Sequence, residues 1–116
     1  MDFAIVNLTE MMNRRTPAVL GDSDSVDKTQ VVYALGFPAA VAELQNKNTY
    51  TSDDVTITSG EVSKITSSDG IDYIQHGAIL NNGNSGGPLV NENGEVVGIN
   101  KGTKSNYYYS VSMNQV

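Results

Sequence analysis

Apolar residues in this chain come in short runs, with no long series at helical spacing. Thr, Val, Ile and Tyr recur a few residues at a time, and each run is closed by a cluster of Gly, Asn, Asp or Ser. A helix that buries one face needs apolar side chains at i, i+3, i+4 and i+7, repeated over several turns, and no long series of that kind runs along the chain. The pattern suits strands, whose side chains alternate between two faces, joined by tight turns. The spacing predicts strands over residues 3–8, 30–37, 55–65, 71–75, 88–91, 95–101 and 107–113. Alternation is clear in Val55-Thr56-Ile57-Thr58, as in a half-buried strand. The run Val31-Val32-Tyr33-Ala34-Leu35 is apolar throughout and reads as a strand covered on both sides. Asn93-Gly94, between two apolar stretches, is a hairpin turn, and Ser67-Ser68-Asp69-Gly70 is a second turn.

From position 30 onward there are six such strands, enough to close a small antiparallel barrel. The expected fold is therefore all-β: a six-stranded barrel over residues 29–116, preceded by residues 1–28 as a remnant of another structure with one strand of its own. The acidic, small-residue stretch 21–28 reads as a linker, and 39–54 as a long loop with one helical turn near 39–44. The three aromatics Tyr107-Tyr108-Tyr109 place Tyr107 and Tyr109 on one face and Tyr108 on the other.

Composition excludes several functions. There is no cysteine, hence no disulfide and no thiolate metal site. Seven basic residues against thirteen acidic ones give a net charge of -6, the wrong sign for a nucleic-acid or anionic-membrane partner. No apolar run approaches the ~20 residues that cross a bilayer, so no membrane contact is expected from this segment. Asp53-Asp54 and the acids between Asp22 and Asp27 lack the spacing of a calcium loop. Neither a metal nor a cofactor is expected.

The segment that carries chemistry is Gly83-Asn84-Ser85-Gly86-Gly87-Pro88-Leu89-Val90. A reactive serine needs an exposed hydroxyl beside backbone N–H groups that can meet a developing oxyanion. Glycine lets the chain turn so that those groups converge. Ser85 is the expected nucleophile, with the N–H groups of Gly83 and Ser85 as the oxyanion hole.

This segment, followed by Asn93-Gly94-Glu95-Val96-Val97-Gly98-Ile99-Asn100, resembles the trypsin-like (chymotrypsin-fold) serine peptidases of the bacterial HtrA/Deg type. Ala34-Leu35-Gly36-Phe37-Pro38 and Thr58-Ser59-Gly60-Glu61-Val62 resemble two further segments of that family. The resemblance implies a second, C-terminal barrel from a pair with the active site between them, and peptide hydrolysis through an acyl-enzyme on Ser85. Asp2-Phe3-Ala4-Ile5-Val6 resembles the family segment that carries the triad aspartate, which makes Asp2 the residue that orients the base. Asn84 stands where digestive enzymes place the aspartate that pairs with a new N-terminus, so activation by such an insertion is not expected.

The family histidine precedes the aspartate, so it is expected outside these 116 residues, within the missing N-terminal barrel. The sole histidine, His76, falls where the family commonly has Gln-Thr-Asp-Ala and reads as a partly exposed structural residue. Without a base the chain by itself is expected to be inactive. Two other readings stay open: a naturally inactive peptidase-like fold that grips extended peptides or a partner protein, and an assembly in which a separate chain brings the first barrel. The specificity pocket is expected near Ile79, Asn100, Lys101 and Gly102. The partners implied are a polypeptide substrate or extended peptide, the first barrel, and further copies of the chain through surfaces left uncovered. The resemblance points to a bacterial extracytoplasmic or cell-envelope location.

Overall fold

The structure, a computed structural model, describes residues 3–10, 15–37, 52–81, 83–104 and 107–115. Asp2 and most of the loop 39–54, with its expected helical turn, lie outside them. Six strands form: β1 (Val31–Gly36), β2 (Thr56–Ser68), β3 (Ile71–His76), β4 (Pro88–Val90), β5 (Val96–Lys104) and β6 (Tyr107–Ser112). They close into an antiparallel barrel in the order β1-β2-β3-β6-β5-β4, with β4 returning to β1.

Alternating burial shows why these residues make this barrel. Val32 and Ala34 of β1 are fully buried, while Val31, Tyr33 and Leu35 are half-buried. The apolar run is thus covered by the barrel interior on one side and only partly on the other. Ile74, Leu89 and Val97 from β3, β4 and β5 complete the centre, joined by Val62, Ala78 and Leu80. Tyr108 packs against this core, Tyr107 is exposed, and Tyr109 meets Tyr73 edge-on with ring centroids 6.4 Å apart. The two faces predicted for the tyrosine run are the two observed.

Both predicted turns are present. Gly94 adopts φ 77°, and Asn91 holds the β4–β5 hairpin by accepting at Oδ1 from the N–H groups of Asn93 and Glu95. Asp69 and Gly70 have φ 53° and 79°, the paired positive values of a tight hairpin, so β2 runs on to Ser68 rather than stopping at position 65.

Two expectations for the N-terminal part need correction. Residues 3–8 form no strand; they are exposed and pair with nothing among the described residues. A strand needs a ladder partner for its N–H and C=O groups, and the six barrel strands already close on one another. The acidic stretch 21–28, read as a linker, is docked on the barrel. The Gly21 N–H donates to Val96 O and the Val96 N–H to Val19 O, each at 2.8 Å. Ser23 is buried, its hydroxyl accepting from Ser112 at 2.6 Å and from the Asn114 N–H at 2.9 Å. Val26 enters the core. The Asp22 carboxylate accepts from the Asn114 side chain and the Asp24 N–H, which hold its pKa below the usual carboxylate value.

Candidate active site

The serine loop, residues 77–87, leaves β3 at His76 and enters β4 at Pro88. Gly83 and Gly86 adopt φ 102° and 86°, values that a side chain would strain, so the two glycines set the turn around Ser85. The Gly87 N–H donates to Asn84 O at 3.0 Å, the Gly86 N–H to Asn100 O at 2.7 Å, and the Asn100 N–H to Gly87 O at 2.8 Å. These bonds lash the loop to β5. The N–H groups of Gly83 and Ser85 have no acceptor among the described residues.

Asn84 is the loop's anchor. It is 1% exposed and packs against β1 so closely that a Cβ on Gly36 would overlap its amide oxygen. Neither amide atom has a hydrogen-bond partner among the described residues. A carboxylate in that place would be far costlier to bury without a cation, so the neutral amide suits a loop that lacks the ion pair of the digestive enzymes.

Ser85 is exposed, and its hydroxyl donates to the carbonyl of Lys101 at 3.0 Å. The β5–β6 register explains why that carbonyl is placed there. Asn100 pairs with Ser110 and Gly102 with Tyr109, which leaves Lys101 as the extra residue of a bulge. A bulge turns its extra residue out of the ladder, and here it turns the carbonyl toward the serine.

A cavity of about 260 Å³ opens beside Ser85, lined also by Phe3, Gly86, Ile99, Asn100, Lys101 and Val111. Of the four expected pocket residues, Asn100 and Lys101 line it. Gly102 instead lines a second cavity of about 620 Å³, bordered by Tyr73, Tyr107 and Tyr109, with Lys101 shared between the two. Ile79 lines neither. Ala78 and Leu80 on either side of it are buried, so alternation turns Ile79 outward to 48% exposure, and its carbonyl accepts from Thr58 Oγ1. Ile99 and Val111 were not foreseen, although they face each other across the β5–β6 ladder, one step from Asn100. Phe3 was also not foreseen as a pocket residue; it brings the chain next to position 2 back to the serine.

His76 differs from its expected setting. It is 2% exposed rather than partly exposed, and burial lowers its pKa to about 4. Its ring bonds to Ser110 and to the Ala78 N–H, so it is not a base for Ser85. The described residues hold no cluster of ligating side chains suited to a metal ion, and no helix among them is long and apolar enough to cross a membrane.

A closed antiparallel barrel that presents a glycine-flanked serine on the loop before its fourth strand is the second barrel of a chymotrypsin-fold serine peptidase. Residues 1–99 match the family model for a trypsin-like peptidase domain. The chain is 40% identical over 101 residues to serine protease HTRA1A of Danio rerio, covering 85% of this chain and 20% of that protein. Against serine protease HTRA4 of Mus musculus it is 40% identical over 102 residues, covering 86% and 20%. The solved structure of the HtrA-type protease AlgW with a tripeptide superposes with a TM-score of 0.70 at 26% identity, over 91% of this chain and 35% of that one. The chain belongs to the trypsin-like peptidases, in their HtrA group, and spans about one fifth of the length of these curated relatives.

Proposed function

We propose that this barrel contributes the nucleophile, the oxyanion hole and one wall of the substrate cleft to a serine endopeptidase, and that the proton acceptor comes from a residue outside these 116. The observation that carries this reading is the seat of Ser85: an exposed residue on a positive-φ glycine turn, beside two N–H groups without acceptors among the described residues and a cavity of about 260 Å³. The hydroxyl donates to a carbonyl, which can accept a hydrogen bond but cannot remove a proton. By itself the chain is therefore inactive. Asp2 is proposed to orient the base, a role supported by Phe3, its neighbour in sequence, lining the cavity with Ser85.

The substrate is proposed to be an extended polypeptide lying along β5 from Asn100 to Gly102, with an apolar side chain in the cavity floored by Ile99 and Val111. The AlgW structures similar to this chain contain bound peptides. Titrating a short peptide of small apolar residues into the 15N-labelled chain should shift the amide signals of Gly83, Ser85, Lys101 and Gly102. Shifts confined to other parts of the barrel would overturn this cleft.

Self-association is proposed as well. Ile5, Val6, Leu8, Val19 and Leu20 are 78%, 80%, 64%, 62% and 68% exposed, an apolar surface that water disfavours. Sedimentation over a broad concentration range should show a mass that rises above the monomer, and Ile5→Ser with Val6→Ser should reverse the rise. A strictly monomeric mass contradicts this.

A further inference from the structure

The buried imidazole of His76 has no part in the chemistry proposed for Ser85, yet it sits where the serine loop departs from β3. Its Nδ1 accepts a hydrogen bond from the Ala78 N–H at 3.1 Å. A neutral ring that accepts at Nδ1 carries its hydrogen on Nε2. Nε2 lies 2.9 Å from Ser110 Oγ and so donates to it. The Ser110 hydroxyl passes its own hydrogen to Asn100 Oδ1 at 2.9 Å. Asn100 Nδ2 in turn donates to the Pro88 carbonyl at 3.1 Å. Each donor meets an acceptor, and Ser110 and Asn100 are 0% and 1% exposed. The main chain of Asn100 grips the same stretch through Gly86 and Gly87.

We infer that His76 is a positioning residue: its ring ties the arm that leads into the serine loop, at Ala78, to the arm that leaves it, at residues 86–88, and so sets the span across which Ser85 and the Gly83 and Ser85 amides are held. The inference rests on the reading of Ser85 given above. Asn84 against β1 and the bonds of the Gly77 N–H to Glu61 O and of Thr58 Oγ1 to Ile79 O hold the loop elsewhere, but the leaving arm is short. Strand β4 has three residues, and its first, Pro88, has no N–H to offer the ladder. Hydrogen bonds in a buried chain polarise one another, so the loss of one weakens the rest.

Protonation of Nδ1 would set an N–H against the Ala78 N–H and break the leading tie. The flanking strands bring no counter-charge to the ring. Glu61 and Lys64 on β2 are exposed; Tyr108, paired with His76 in register, and Tyr109 stand on β6; Lys101 is on β5, and Asp72 and Tyr73 are on β3 itself. None of these is bonded to the imidazole among the described residues. Burial lowers the pKa accordingly.

The test uses the 116-residue chain labelled with 15N. Long-range 15N–1H correlations of the ring should place the hydrogen on Nε2. In His76→Ala, amide exchange at Gly86 and Asn100 should quicken about tenfold beyond the change seen in the β2–β3 hairpin, which reports overall stability. His76→Gln, which restores a donor toward Ser110, should recover that protection. Ser110→Ala should quicken Gly86 and Asn100 while Ala78 stays protected, a split that general loosening does not produce. A hydrogen on Nδ1, a uniform change at all amides, or no change would overturn the inference. If His76→Ala does not fold, the ring's hydrogen position and Ser110→Ala still decide. No catalysis is read, so a failed relay leaves the role of Ser85 untouched, and a failed nucleophile test leaves the relay standing.

Discussion

Joined to a first barrel that carries a histidine, this barrel should hydrolyse peptides, and Ser85→Ala should lower kcat/KM by about 10⁴–10⁶-fold. The size of the effect follows from where the proton of the hydroxyl goes. In the barrel alone it points at the Lys101 carbonyl, 3.0 Å away, which leaves the oxygen a neutral and weak nucleophile. A histidine brought into the cleft must displace that carbonyl as the acceptor and take the proton as the bond to the substrate carbon forms. Removing the hydroxyl removes that step altogether, while the Gly83 and Ser85 amides remain in place. The residual acceleration over water should then be about 10³–10⁴-fold, from the oxyanion hole and binding. In the same joined protein, Asp2→Asn should cost about 10⁴-fold through the tautomer and orientation of the base. The 116 residues alone should show only background hydrolysis. Peptide turnover measured for the four proteins decides the matter. Full activity in Ser85→Ala ends the nucleophile assignment. Activity in the isolated chain that Ser85→Ala abolishes would show that a base lies within it.

Local chemistry made the barrel legible before any coordinates. Asn93-Gly94 and Asp69-Gly70 force hairpins, and alternation over Val55-Thr56-Ile57-Thr58 marks a strand, though not its buried face, since Ile57 is 60% exposed and the threonines beside it are half-buried. Those are short-range effects, and a single sequence records them. The serine loop was legible for a similar reason: glycines at positions 83 and 86 permit the positive φ values found there. What escaped depends on partners distant in sequence. A strand at residues 3–8 has the right composition, but a closed barrel offers it no ladder. The stretch 21–28 looks solvated because it is acidic, yet Ser23 and Val26 find places prepared by Ser112, Asn114 and the core. The sequence reads His76 as partly exposed because Ser110, which accepts from its ring, reaches it only once β3 and β6 pair. The pocket shifted for the same reason: the β5 bulge at Lys101, invisible in sequence, separates the cavity beside Ser85 from the one that Gly102 borders.

That buried imidazole should also make the stability of the barrel depend on pH in a window where few other groups act. An unfolded histidine titrates near 6.5, and burial moves His76 to about 4 in the folded chain. Between those values the unfolded chain binds a proton that the folded one does not, so unfolding takes up a proton and acid favours it. Stability is therefore fully present above pH 6.5 and is lost as the pH falls toward 4. The slope should reach about 1.4 kcal/mol per pH unit, and the loss across the window should come to ~3 kcal/mol. Asp22 acts elsewhere: its carboxyl is held below the usual value of 3.8, so its contribution disappears only at lower pH. Urea unfolding at a series of pH values should show the slope in the wild-type chain, and His76→Gln, which has no group to titrate, should flatten it between pH 6.5 and about 4.5. Equal slopes in the two proteins would mean that the ring is already charged in the folded barrel. A charged ring has hydrogen on both nitrogens, and Nδ1 could not accept from Ala78; the contact that anchors the serine loop to β3 would then have to be replaced by another.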